Sequence, residues 1–327
     1  MPPPTAKDLV RSLAVSPRAA LPAFGSAWRS ARPRAWGFPW AAPMWPGGVP
    51  RRPETSTTGM EYDTGWARSY GVQVARAVVL DNVTRPVVRA LASPTLEGVD
   101  RLDGLAGPVV FAANHASHAD TPLLLTCLPS RFRHRLVVAA GADYFFDKRW
   151  KGHMSAFAIN AIPIERVKIS RRSAELPASL LSDGWNLLIY PEGGRTADGW
   201  SKEHRGGAAY LATKVGVPVV PIYVEGTRRV LKKGVSIPMP ASTTITFGRP
   251  MRSAEGEDAR AFAARIEREV DVLADEHANG FWEARRHAAT KTTPSLRGPQ
   301  QAAGWRRAWE LGEGRRPAHR GPVWPPR

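Results

Sequence analysis

The chain holds a single cysteine, Cys127, in 327 residues. A lone thiol excludes an internal disulfide framework and a cysteine-based zinc cluster. A reduced compartment fits that usage, and the apolar setting LLLTCLP suggests a buried thiol. Long apolar runs are missing as well. Arg, Asp, Glu or Lys breaks every candidate window before it reaches the roughly 18 to 20 residues that a spanning helix needs, so a soluble or membrane-peripheral protein is expected. Proline and charge interrupt the opening MPPPTAKDLVRSLAVSPRAALPAF where a secretion signal needs an apolar core, and export is not expected. Acidic residues are scarce: 29 Asp and Glu stand against 46 Lys and Arg, a formal net charge of +17. That excess points to an anionic partner, whether nucleic acid, a phospholipid surface or a phosphorylated substrate, and its sign alone does not choose among them.

With 43% hydrophobic residues the chain can bury a substantial core, and its length suits one large domain with appendages. No internal repeat is visible. Residues 1–59, rich in Pro, Arg, Ala and Trp, lack sustained periodicity and are predicted to be an extension without a fixed fold. Residues 286–327 form a basic tail in which Trp305 and Trp309, four apart, could share one face of a short helix. The domain proper is predicted over 60–285. Its segment 72–92, VQVARAVVLDNVTRPVVRALA, carries an apolar stripe at helical spacing, with Arg76, Arg85 and Arg89 in it and Pro86 interrupting it. Two readings stand: a helix pair packed on the core, or an interfacial membrane segment with snorkelling arginines. Short β-rich runs follow at 108–113, 136–140, 161–165, 186–191, 218–226 and 243–248, several separated by helical patterns. The alternation predicts an α/β fold, a mixed central sheet flanked by helices with loops gathered at strand ends. An amphipathic helix over 257–278 is read as packing.

The run VVFAA leads into NHASHAD and then TPLLLTCLP, which reads as strand, loop and helix. Thr121 with Pro122 suits an N-cap and first turn, while Ser117 with Asp120 three residues later suits a capping box. On a regular helix, five residues turn by about 140°, so His115 reaches Asp120 only if it sits on the loop. An aspartate that accepts from one imidazole nitrogen fixes the tautomer and frees the other nitrogen to take a proton from a hydroxyl. Alone, His-x4-Asp is a weak pattern, better explained by a satisfied loop histidine beside a capping aspartate. Ser117 could serve as a nucleophile, but no G-x-S-x-G elbow frames it. No further Cys or His-rich motif accompanies His115, His118 and Asp120, so no metal is expected. His118 reads as a surface or packing residue. Further on, the strand NLLIY ends in Pro191, Glu192, Gly193, Gly194 and Arg195. Paired glycines let a backbone approach a ligand closely, and arginine offers a planar fork for phosphate, although a plain turn explains the glycines too.

In order, NHASHAD, the AIPIER run ending in Arg166, PEGGRT and VPVVP resemble the four motif blocks of the lysophosphatidic acid acyltransferase family, the 1-acylglycerol-3-phosphate O-acyltransferases, over roughly residues 95–250. The resemblance implies a glycerolipid acyltransferase-like fold. It implies His115 as general base with Asp120 orienting it, Arg166 as a phosphate contact, and Glu192, Gly193, Gly194 and Arg195 as the acceptor site, with Arg195 meeting the glycerol phosphate. The block around Pro218 and Pro221 would bear on donor binding or site architecture. The implied reaction moves a fatty acyl group from acyl-CoA or acyl carrier protein (acyl-ACP), co-substrates rather than cofactors, to the free hydroxyl of a lysophospholipid, giving phosphatidic acid when the acceptor is 1-acylglycerol-3-phosphate. It further implies peripheral attachment to an anionic membrane surface at its cytoplasmic face. The third block departs from the commoner Glu-Gly-Thr-Arg-Ser: Gly194 removes a hydroxyl and Thr196 keeps one, which leaves acceptor preference open, with glycerol-3-phosphate or a glycolipid as alternatives. A basic nucleic-acid-binding protein and a serine hydrolase using Ser117 are the rival classes. The first lacks a reading motif and leaves the central blocks unexplained, so no nucleic-acid partner is expected.

Overall fold

The computed structural model describes residues 59–165, 171–195, 200–232, 234–235 and 237–297, all within one compact unit. Expectations for residues 1–58, for Arg166 and Thr196, and for Trp305 and Trp309 lie outside the described residues. Seven strands, β1 (Pro94–Glu97), β2 (Val110–Ala113), β3 (Leu136–Gly141), β4 (Ala161–Ile164), β5 (Asn186–Ile189), β6 (Val219–Glu225) and β7 (Thr243–Phe247), form one sheet in the order β1-β7-β6-β2-β5-β3-β4. The longer helices are α1 (Tyr70–Val79), α2 (Arg85–Ala92), α3 (Asp120–Cys127), α4 (Arg149–Ile159), α5 (Arg171–Ser182), α6 (Gly207–Val215), α7 (Ala259–Asn279) and α8 (Phe281–Thr290). The expected mixed sheet flanked by helices is thus present. The edge strand β1, PTLE, escaped the sequence reading because it is short and only half-buried.

β2 through β6 run parallel to one another, and β7 returns antiparallel to β6. Interior parallel strands are covered on both faces, which is why β2, β3 and β5 are buried along their whole length and read as unbroken apolar runs. Alternate residues feed two cores: Val110, Ala112, Leu187 and Ile189 pack on one face with α5 and α6, and Phe111, Ala113 and Leu188 pack on the other with α3. β6 runs unbroken through Pro221, whose ring fits because its neighbour is glycine: a Cβ on Gly248 would stand 2.6 Å from the Pro221 ring. Asp258 caps α7 by accepting from the backbone N–H groups of Arg260 and Ala261, and the helix buries Phe262, Ile266, Val270 and Leu273, the packing role expected of it. α8 then carries the fold to Thr290, and Leu296 beyond it is buried against Tyr223 and α7.

Segment 72–92 is helical with a π-helical turn, Leu80–Thr84, between α1 and α2. Proline lacks an N–H and its ring crowds the carbonyl four residues back, so a widened turn just ahead of Pro86 accommodates it without ending the helix. The core-packing reading holds from the π-helical turn onward, where Leu80 and Ala92 are buried in the core and Val88 and Leu91 pack against it. α1 buries no side chain, and Val74, Val78, Val83 and Val87 are exposed. Arg76 does not snorkel. Its guanidinium donates to the carbonyls of Ala156 and Phe157 at the end of α4 and to that of Ala67. Among the described residues no helix is long and apolar enough to cross a membrane.

Candidate active site

Because β2 to β6 are parallel, their carboxyl ends gather along one edge of the sheet, the edge where open α/β sheets bind ligands. His115 leaves the end of β2 there, and residues 190–195 leave the end of neighbouring β5. Asn114 fixes the exit of β2: its Nδ2 donates to the Val224 carbonyl (3.0 Å) and its Oδ1 accepts the Val224 N–H (2.7 Å). This amide pair extends the β2–β6 ladder by one residue, so the histidine emerges from a backbone held on the β6 side.

His115 Nδ1 lies 2.8 Å from Asp120 Oδ2. The same oxygen accepts the backbone N–H groups of Ala116 and Ser117, each at 2.9 Å. The carboxylate therefore folds the loop around itself and turns the imidazole toward it in one arrangement. A carboxylate oxygen that accepts from Nδ1 fixes the tautomer and leaves Nε2 free. Asp120 is fully buried while the histidine side chain is 14% exposed, so the ring remains reachable. The ring stacks on Tyr190 with centroids 4.0 Å apart and planes 20° from parallel. Tyr190 is held in turn by a 2.9 Å hydrogen bond between its hydroxyl and that of Thr121.

The helix start departs from the first of the two sequence alternatives. α3 begins at Asp120, and the Thr121 hydroxyl goes to Tyr190 instead of capping. The second is closer: Asp120 reaches back to the Ser117 N–H, while the Ser117 hydroxyl accepts the Ala119 N–H. That hydroxyl also donates to the Leu231 carbonyl at 2.6 Å and is fully buried, so it is a structural tie and a poor nucleophile. His118 stacks on Tyr144 and hydrogen-bonds its hydroxyl at 3.2 Å. Burial, then the nearby charge of Arg195, then that of His115 push the His118 imidazole down to about 4, so it is neutral at pH 7. Arg195 thus lies close enough to this ring to act on its titration. Cys127 is partly buried, less enclosed than its apolar setting suggested, and burial raises its thiol pKa.

Glu192 is enclosed. One carboxylate oxygen accepts the His115 N–H at 2.8 Å and the other accepts the Lys202 N–H at 3.1 Å. Burial outweighs these bonds and raises its pKa from 4.5 to about 7. The side chain therefore shapes the site by holding the backbone of His115, a tie that nothing in the sequence spacing signals. Gly193 and Gly194 have φ of 69° and 153°, values that side chains rarely tolerate, and a Cβ on Gly193 would lie 3.0 Å from Arg205 Nε. Arg166 lies outside the described residues, so the structure brings together His115, Asp120, Glu192, Gly193, Gly194 and Arg195 of the expected set. Sequence reading missed Tyr190, although an aromatic directly before Pro-Glu-Gly at a strand end was a visible signal. Among the described residues no group of three or more His, Cys, Asp and Glu could hold a metal. The 190–193 segment also borders an apolar pocket, partly open to solvent and about 560 Å³ in all, between Ile164, Ala174, Ile189, Tyr190 and Leu211, with Glu165 and Arg205 also lining it.

Residues 88–225, the segment that carries both site loops, match the family model described as Acyltransferase. Its likeness within that class is to the lysophosphatidic acid acyltransferases. The chain is 28% identical over 145 residues to the 1-acyl-sn-glycerol-3-phosphate acyltransferase BAT2, chloroplastic, of Brassica napus, covering 42% of this chain and 39% of that one. It is 29% identical over 184 residues to a 1-acyl-sn-glycerol-3-phosphate acyltransferase of Chlamydomonas reinhardtii, covering 52% and 50%. A solved structure of the 1-acyl-sn-glycerophosphate (LPA) acyltransferase PlsC from Thermotoga maritima is similar at 21% identity and a TM-score of 0.48, covering 61% of this chain and 79% of that one. The matches to these two curated relatives span between two fifths and half of each relative's length.

Proposed function

We propose that this chain is an O-acyltransferase that moves a fatty acyl group from the thioester of acyl-CoA or acyl-ACP to the free hydroxyl of 1-acylglycerol-3-phosphate, giving phosphatidic acid. The observation that carries the reading is the 2.8 Å contact between His115 Nδ1 and a fully buried Asp120, on a partly exposed ring at the carboxyl edge of the sheet. With Nδ1 protonated and engaged, Nε2 takes the proton of the acceptor hydroxyl. The oxygen attacks the thioester carbonyl, the tetrahedral centre collapses, the C–S bond breaks, and the departing thiolate recovers the proton from the imidazolium. Asp120 stabilises that imidazolium. General-base assistance of this kind is worth about 100- to 10,000-fold. The transfer is direct and needs neither an acyl-enzyme nor a metal, in keeping with the buried, twice-engaged Ser117 hydroxyl.

Arg195 and Arg166 meet the phosphate of the acceptor, with the glycines at 193 and 194 allowing the backbone close to it. The apolar pocket that Tyr190 helps to line takes a fatty chain, since the same ring also stacks on His115. Attachment is peripheral, at the cytoplasmic face of an anionic membrane. The exposed valines of α1 and α2 and the exposed Trp150 and Met154 of α4 supply apolar contact, and the net charge of +17 supplies attraction. The test is thiol release from acyl-CoA and acyl-ACP against 1-acylglycerol-3-phosphate, glycerol-3-phosphate and a glycolipid, with the product identified by mass. Phosphatidic acid as the main product supports the reading. No thiol release with any acceptor sinks it, and a different product corrects the acceptor.

A further inference from the structure

Glu192 holds the His115 amide only as firmly as Glu192 itself is held. Its second oxygen depends on Lys202, in the stretch 200–206 that has no helix or strand of its own before α6 begins at Gly207. That stretch is pinned from two sides. On the site side, the Arg205 N–H donates to the Pro191 carbonyl at 2.9 Å. On the far side it is pinned by α7 and by residues beyond α8: the His204 N–H donates to Glu267 Oε2 at 3.1 Å, and the Ser201 N–H donates to the Leu296 carbonyl at 2.8 Å. Leu296 is itself fixed, with its side chain buried against Tyr223, Val270, Leu273 and Ala274 and its N–H donated to Asp271 Oδ1 at 2.9 Å. Arg297 closes the set. Its Nε donates to Glu267 Oε1 and its Nη2 donates to Glu267 Oε2 at 2.7 Å, a two-pronged grip on the carboxylate that also holds His204.

From this continuity we infer that Leu296 and Arg297 are positioning residues for the site. They clasp residues 201–204, which hold Glu192, which holds the backbone of His115. Arg297 touches no group of the dyad, and its effect reaches the reacting atoms through four successive hydrogen-bonded links. A displacement of about 1 Å far from the chemistry costs on the order of 100-fold in rate, so a loosened clasp lowers kcat while the phosphate and chain contacts that set substrate affinity persist. The inference rests on the acyltransferase reading for its kinetic consequence and not for its structural one.

The experiment compares full-length Arg297→Ala, Arg297→Lys and the unsubstituted protein in two measurements. Amide hydrogen exchange is followed in peptides covering 113–118 and 199–205, and kcat and KM are measured with acyl-CoA and 1-acylglycerol-3-phosphate. The expected result for Arg297→Ala is faster exchange in both peptides, unchanged exchange in β2 and β6, and a kcat lower by tenfold or more with KM within twofold. Arg297→Lys, which keeps the charge but not the fork, falls between. Unchanged exchange at 113–118, or faster exchange there with an unchanged kcat, overturns the inference. If the alanine variant does not fold, the lysine variant gives the same readings at smaller amplitude. If the unsubstituted protein acylates no acceptor, the proposed function has failed, and exchange alone decides whether the clasp exists.

Discussion

Replacing Asp120 by asparagine tests the dyad with the least change of shape. The asparagine carbonyl, placed where Oδ2 now lies, still accepts the Ala116 and Ser117 N–H groups and the Nδ1 proton, so the loop keeps its path. What disappears is the charge that faces the imidazolium formed during transfer. At an effective dielectric constant near 20, opposite charges about 4 Å apart attract by roughly 4 kcal/mol. A loss of about 2 to 4 kcal/mol in the transition state corresponds to a kcat lower by about 30- to 1000-fold. KM stays near its original value because neither substrate meets this fully buried side chain. Stability also falls. The new NH2 group replaces Oδ1, a buried atom without a hydrogen-bond partner among the described residues, and an unsatisfied buried donor costs about 1 to 3 kcal/mol. For a domain of this size each kcal/mol lowers Tm by about 2 to 4 °C. Thiol-release kinetics and a thermal melt on the same preparation measure both effects. A folded Asp120→Asn variant with kcat within threefold of the original refutes the role given to the carboxylate.

Other outcomes follow from the same geometry. Glu192 has its folded pKa raised from 4.5 to about 7, so between those values the native state holds a proton that the unfolded state has lost. Its contribution therefore weakens the fold as pH rises from about 4.5 to 7, by about 3 kcal/mol in all. Glu192→Gln removes that slope, and parallel pH-dependent melts whose difference does not change between pH 4.5 and 7 contradict it. Arg195→Ala raises KM for a phosphate-bearing acceptor by tenfold or more and spares a phosphate-free one, and equal effects on both argue against a phosphate contact. Anionic liposomes float the protein at low salt and release it at high salt, and flotation indifferent to both lipid charge and salt argues against the membrane reading.

The central sheet was legible because buried parallel strands are written as unbroken apolar runs, and VVFAA and NLLIY name the two strands whose ends carry the site. The meeting of His115 and Asp120 was legible from loop chemistry, since a regular helix would have separated them. β1 was not legible: a four-residue, half-buried edge strand leaves too little pattern. The exposure of α1 was equally invisible, because an apolar stripe at helical spacing looks the same whether it faces a core or nothing. Glu192 shows the limit most clearly. Its position in Pro-Glu-Gly-Gly-Arg suggested a group facing the acceptor, yet its carboxylate bonds to the backbone of a residue 77 positions earlier. Hydrogen bonds to backbone amides leave no mark on residue type at the other end, so the tie from Leu296 and Arg297 through Lys202 to His115 is visible only in the folded structure.

The most direct measurement is the rate of phosphatidic acid formation from 1-acylglycerol-3-phosphate and an acyl thioester by purified His115→Ala, beside the unsubstituted protein and with circular dichroism confirming the fold of both. Loss of about 100- to 10,000-fold in kcat with the fold intact is the expected result. Product formation by the folded variant at close to the original rate would mean that another group takes the hydroxyl proton.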